Sequence, residues 1–502
     1  MQLFFKLFSS CLSGFFNLYP SHLKIRDAEY GSAVSRSVCS LAKPIVCTGF
    51  GICVVLMLLT FASCNKLPQS STTKEPQIVT TDPRTLPEVE ADWKKAIEAF
   101  NKSDINGAKN ILADLYKKHP ALPPPGINLA IFFAQTKNGN IIKPLLDMTT
   151  NETPEDPEAY ILLGEIALQQ RELTVASLLL KEGEAKLAKY VVYPQRKKNL
   201  TSSLLRIQSA LAEIRGKWEL YGQLADKRIT HDGELPALLR QKGVALFQLK
   251  KESEAATLFA RADKIATDEK QNNAEQGLPA EAMLSQLYAA RGDKENAKKY
   301  LTDALSKHPN SKEVILLSIQ SRLNDDKPEE ARELANKLVK DFPDFEPATG
   351  ILAMIALYLS DYPTAENLFQ KLIVASPSNG QAVNGLALAL CEQNDTKKLQ
   401  RAFEYAGDNV NKNQQNTEYL GTLGWILFKA KKFGDARQAL QRSVVSGQTS
   451  PTNAYYLANL EKQTGNEKSK EEAKRLLNEA LKSPAPFAKR REAIKLLEEL
   501  QK

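Results

Sequence analysis

Three prolines, Pro309, Pro343 and Pro377, stand 34 residues apart. Ala297, Ala331 and Ala365 keep the same spacing, and Leu399 continues it. Two further registers agree: Leu301, Ala335, Phe369 and Phe403, then Ala304, Leu338, Leu372 and Ala406. A period of this length calls for a chain of like units, each burying its apolar face against the next. At 502 residues the chain is in any case too long for one ordinary core.

Single copies show the pattern well. Residues 157–190 carry Tyr160, Leu163-Gly164, Ala167, Ala176 and Leu180, and residues 236–269 carry Leu239, Gly243, Leu246, Ala255, Phe259 and Ala262. Residues 417–450 carry Leu420, Leu423-Gly424, Leu427, Ala436, Leu440 and Ser443. In period and pattern the chain resembles the tetratricopeptide repeat family over residues 88–502. The resemblance implies an all-α superhelical solenoid of antiparallel helix pairs. The repeats read as degenerate over 88–232 and clear over 233–484, with a C-terminal capping helix over 485–502. Gly or Ala at the eighth and twentieth places brings the two helices together, so a bulky residue at Ala365 is expected to overpack at about 1–3 kcal/mol.

The N-terminal region reads differently. Residues 45–63 are uncharged and apolar, preceded by Arg36 and Lys43 and closed by small residues, the order of a secretory leader. Their end, Phe61-Ala62-Ser63-Cys64, resembles the bacterial lipobox, which implies acylation of Cys64; an uncleaved anchor helix is the alternative. Residues 1–63 are then the leader, and Val34 would give it a more compact start than Met1. Residues 64–87, rich in Pro, Ser and Thr, read as a tether reaching at most about 70 Å. Either anchor places the folded part in the bacterial cell envelope, facing the periplasm. By resemblance to enterobacterial sorting, Asn65 after the cysteine favours the outer membrane.

Several chemistries find no support. The net charge is +8 with both signs interspersed, whereas a nucleic-acid partner calls for a basic stripe. Cys11, Cys39, Cys47, Cys53 and Cys64 all precede the repeats, leaving Cys391 alone beyond them, so the repeats hold neither a disulfide framework nor a cysteine metal site. His119-Pro120 and His308-Pro309 read as turn residues. There is no phosphate-binding loop and no nucleophile elbow. No cofactor, metal or catalytic residue is expected.

In tetratricopeptide arrays the inner wall is mainly the first helix of each pair. By that resemblance it includes Gln286, then Gln320 and Asn324, Met354 and Tyr358, Asn384, Leu388, Cys391 and Glu392, and finally Trp425, Phe428 and Lys429. Toward the C-terminus the wall turns apolar and aromatic, as protein-binding hot spots do. The places of the chaperone carboxylate clamp lack its Lys and Asn pairs, so an acidic C-terminal tail is not the expected ligand. The expected function is a non-catalytic, membrane-tethered scaffold for envelope or export proteins. Direct binding of polysaccharide or peptidoglycan is the alternative, and an enzyme with an unrecognised site ranks last. From Leu420-Gly-Thr-Leu-Gly-Trp425 onward the chain also resembles lipoproteins associated with exosortase and exopolysaccharide export.

Overall fold

A computed structural model describes residues 87–136, 139–268, 277–444, 449–482 and 487–501. The leader, Cys64 and nearly all of the tether lie outside the described residues. Among the described residues the regular elements are α-helices and one short 3-10 turn. They fall into two units that part between Tyr300 and Leu301. The earlier unit holds α1 (Pro87–Asn101), α2 (Ile105–Lys118), α3 (Pro125–Ala134), α4 (Ile142–Glu152), α5 (Pro157–Gln169), α6 (Leu173–Lys189), α7 (Pro194–Ile214), α8 (Trp218–Asp232), α9 (Pro236–Gln248), α10 (Glu252–Asp268) and α11 (Ala280–Arg291). Helix α12 (Lys294–Lys307) runs across the boundary. The later unit holds α13 (Lys312–Asn324), α14 (Pro328–Asp341), α15 (Glu346–Tyr358), α16 (Tyr362–Ala375), α17 (Gly380–Cys391), α18 (Thr396–Lys412), α19 (Thr417–Lys429), α20 (Phe433–Ser443), α21 (Pro451–Thr464), α22 (Glu467–Lys482) and α23 (Arg490–Gln501).

The packing follows the small residues. A Cβ on Gly164 would stand 2.8 Å from Leu180, one on Gly243 2.4 Å from Phe259, and one on Gly424 2.6 Å from Leu440. Each contact joins the eighth place of a first helix to the twenty-fourth place of its own second helix. Ala176, Ala255, Ala331, Ala365 and Ala436 are wholly buried at the twentieth place, so the expected cost of a bulky residue at Ala365 stands. Ser311, Asn379, Asn416 and Ser450 cap α13, α17, α19 and α21 through their side-chain oxygens.

One register slips. Helices α13, α15 and α17 start at Lys312, Glu346 and Gly380, on the period, but α19 starts only at Thr417. Helix α18 carries an extra turn at its start, where Asp395 accepts from the N–H groups of Lys397 and Lys398. Its buried ridge is therefore Ala402, Ala406 and Asn409. Leu399 and Phe403, which share the 34-residue spacing, lie on a more open side, and Phe403 is 37% exposed.

Sequence alone also gave no sign of how the turns inside the pairs are made. Arg171, Lys250, Gly292, Asp326, Ser360, Asn394 and Lys431 all occupy the fifteenth place of a unit, and all have positive φ. Only one of the seven is glycine, the residue that adopts this conformation without strain.

In the earlier unit Glu213 on α7 is buried. Burial pushes its carboxyl up to about 7, against the opposing hydrogen bond from Tyr221. The folded state then holds a proton that the unfolded chain, titrating near 4.5, has lost. Stability contributed by this group is expected to fall as pH rises from about 4.5 to about 7, by on the order of 3 kcal/mol. Urea denaturation of wild type and Glu213→Gln across that window checks it, because the variant should lack this part of the slope.

Candidate partner-binding groove

In the later unit α15 touches α17, α17 touches α19, and α19 touches α21. This series of first helices forms a wall, with Met354 and Tyr358 on α15, Asn384 and Leu388 on α17, and Trp425 and Phe428 on α19. Met354, Leu388 and Phe428 are half-buried and pack against the unit's buried cluster. Tyr358 donates its hydroxyl to Asp326 Oδ1 at 2.7 Å; burial first, then that carboxylate, pushes its pKa well above the usual phenol range. On α13 the Gln320 amide donates to Asn324 at 2.9 Å. Asn384 is buried and its Oδ1 accepts no hydrogen bond. Gln286 is half-buried on α11 and belongs to the earlier unit.

Trp425, expected on the inner wall, is only 5% exposed. Its ring stacks on Tyr456 at 4.5 Å and on Phe428 at 5.2 Å, nearly parallel to both. Its indole N–H donates to Glu392 Oε1 at 2.8 Å. The tyrosine that covers it comes from α21, in the following unit, which no single-repeat pattern reveals.

Glu392, the residue after α17, is the centre of this region. Lys429 approaches its Oε2 at 3.3 Å and Lys489 its Oε1 at 3.2 Å. The carboxylate and the Lys489 side chain are each 10% exposed. Burial alone would raise the carboxyl, but Lys489, Lys429 and the indole N–H outweigh it and hold it below the usual carboxylate range. Burial opposes the charge on Lys489, yet Glu392 reverses the balance and keeps the ammonium firmly protonated. Beside them burial pushes the Cys391 thiol well up, so it stays a protonated packing group, its Sγ donating to Leu388 O at 3.3 Å. Among the described residues no group of three His, Cys, Asp or Glu side chains is placed to hold a metal ion.

Lys489 comes from the C-terminal segment. That segment closes the array as a cap would: Phe487 joins the buried cluster, Ala493 and Leu496 are buried, and Lys462 on α21 pairs with Glu499 at 2.6 Å. It also turns back along the wall. Lys489 donates to the Tyr362 hydroxyl at 3.1 Å, across 127 residues of sequence. Arg491 lies 3.9 Å from Asp326 and 4.0 Å from Glu329. Sequence reading missed Lys489, Tyr362 and Asp326 as parts of the site. The one local signal was the basic run Lys489-Arg490-Arg491 at the head of an amphipathic helix.

Residues 288–355 match a family described as tetratricopeptide repeat, and residues 352–408 match a second family of the same description. Over residues 288–408 the chain is similar to tetratricopeptide repeats. Their matched span covers α12 to α17 and nearly all of α18, and so includes α15 and α17 of the wall. No curated protein matches the chain. Among solved structures, a tetratricopeptide repeat protein from Parabacteroides merdae is similar at 15% identity and a TM-score of 0.41, over 53% of this chain and 99% of that one. A thermophilic tetratricopeptide repeat protein of Thermus thermophilus is similar at 18% identity and 0.32, over 37% and 99%. Yeast Tom70 is similar at 14% identity and 0.34, over 82% and 95%. At these scores the identification rests on the family matches. Tetratricopeptide repeats act in general as surfaces for protein–protein interaction. Among the described residues no helix is long and apolar enough to cross a membrane.

Proposed function

We propose that this chain is a non-catalytic scaffold of the bacterial envelope, and that the wall formed by α15, α17, α19 and α21 holds a partner protein from an export or envelope-biogenesis assembly. The wall supports the reading. It sets half-buried Met354, Leu388 and Phe428 beside one deeply placed carboxylate, Glu392, the mixture of apolar anchors and a desolvated charge that interfaces use. The tether supports the setting: lipid on Cys64 would fix the chain to a membrane, in the outer membrane by the Asn65 reading. The closing segment's likeness to exopolysaccharide-export lipoproteins names the assembly to try first.

Photo-crosslinking in the native cell tests the proposal. Probes at Met354 and Leu388 on the wall are compared with probes at Lys371 and Val374 on α16, which are exposed. A discrete protein adduct from the wall, absent from the α16 controls, is the expected result. Adducts with glycan would replace the protein partner with a polymer, and adducts from α16 alone would move the working face elsewhere. Cys64→Ser should release the chain from the membrane fraction.

A further inference from the structure

We infer that residues 487–501 are the groove's own occupant, and that the partner segment which replaces them shares their chemistry: an aromatic ring, one residue, then a lysine leading a basic run. The inference rests on the reading of the wall as a binding face and names what that face selects.

The pocket is matched to an ammonium. Lys489 has three N–H donors, and three oxygens meet them: Glu392 Oε1 at 3.2 Å, the Tyr362 hydroxyl at 3.1 Å and Glu492 Oε1 at 3.4 Å. The Tyr362 ring also lies 5.6 Å from the ammonium. Two of these three partners belong to the wall side, so an incoming lysine finds them in place. Lysine is almost never buried without such a partner. Two residues before it, Phe487 supplies the apolar anchor and is itself buried.

The segment's outer polar contacts are weak, although Ala493 and Leu496 further along it are buried. Arg491, Asp326 and Glu329 are all more than half exposed, and exposed pairs at such distances contribute little and are screened by salt. Ile494 stays 41% exposed. The occupant is tethered, so its effective concentration is on the order of millimolar. A free segment competes poorly until the tail is weakened or drawn off, which makes the tail a gate on partner binding.

The probe is a fluorescent peptide with the sequence of residues 487–502, titrated into the full chain. Phe487→Ala/Lys489→Ala should bind it at least about tenfold more tightly than wild type, given the competition from the tethered tail. Adding Glu392→Gln should abolish that binding. No binding to the opened variant, or binding indifferent to Glu392, overturns the inference. Should the opened variant fold poorly, Glu392→Gln alone still decides: tryptic cleavage after Arg490 and Arg491 should quicken about tenfold or more over wild type, and an unchanged rate overturns the inference. A wild-type chain that sediments as a dimer through tail exchange would overturn the intramolecular assignment. Loss of cellular crosslinks with intact peptide binding would sink the scaffold reading and leave the pocket's chemistry standing.

Discussion

Phe369→Ala is expected to lower the stability of the later unit by about 3–5 kcal/mol, one of the two largest losses expected from a single substitution in this chain. The ring is 1% exposed on α16 and belongs to the cluster shared by several units. It also lies against the backbone of Gly385 on α17: a Cβ there would stand 2.3 Å from its Cζ. Truncation removes the seam between two consecutive pairs, and rigid helices on both sides keep the space from closing. Urea denaturation followed by circular dichroism measures the loss. The contact gives a second, sharper outcome. Gly385→Ala in the wild type should cost about 1–3 kcal/mol by overpacking. In the Phe369→Ala background the same change should cost far less, because the obstructing ring is gone; simple additivity would mean that the two residues do not share the seam.

Arg196→Ala is expected to cost the earlier unit about 3–5 kcal/mol, for an electrostatic reason. Arg196, near the start of α7, pairs with Asp156 at 2.8 Å and Glu158 at 2.7 Å, and donates to the Tyr190 hydroxyl at 3.0 Å. Asp156 is the N-cap of α5, accepting from the Glu158 N–H, so one guanidinium ties the heads of two first helices together. Arg196 and Asp156 are almost wholly buried, and removing the cation leaves carboxylates desolvated without a counter-charge. Arg196→Lys keeps the charge but loses the planar fork that serves both carboxylates, so an intermediate loss is expected. Thermal unfolding of the three proteins at neutral pH orders them: wild type, then lysine, then alanine. Equal stability of wild type and alanine would mean that the pair is idle.

These two sites show how far the sequence could be read. Phe369 stood in a 34-residue register beside Ala365 and Leu372, so its burial followed from periodicity alone. Arg196 stood in the stretch read as degenerate, where a charge cluster replaces part of the apolar pattern, and polar partners 38 and 40 residues away leave no periodic trace. The same limit explains the groove. Met354, Leu388 and Phe428 were placed on first helices by counting, and the wall carries them. Trp425 was placed by the same count, but its covering ring comes from the next unit. The contact from Lys489 to Tyr362 joins residues more than three units apart, and a repeat pattern is silent about what folds back across it. At α18 the added turn moved the buried ridge by three residues, so Leu399 and Phe403 kept the spacing but not the packing.

A double-mutant cycle between Glu392 and Lys489 tests most directly whether the groove is closed by its own C-terminal segment. Glu392→Gln, Lys489→Met and the double variant are compared with wild type by urea denaturation. A contact between a buried carboxylate and a buried ammonium predicts a coupling of about 1–3 kcal/mol, with the double variant losing less than the sum of the singles. Additivity within about 0.5 kcal/mol would contradict it, because the segment would then lie away from Glu392 and the groove would stand open.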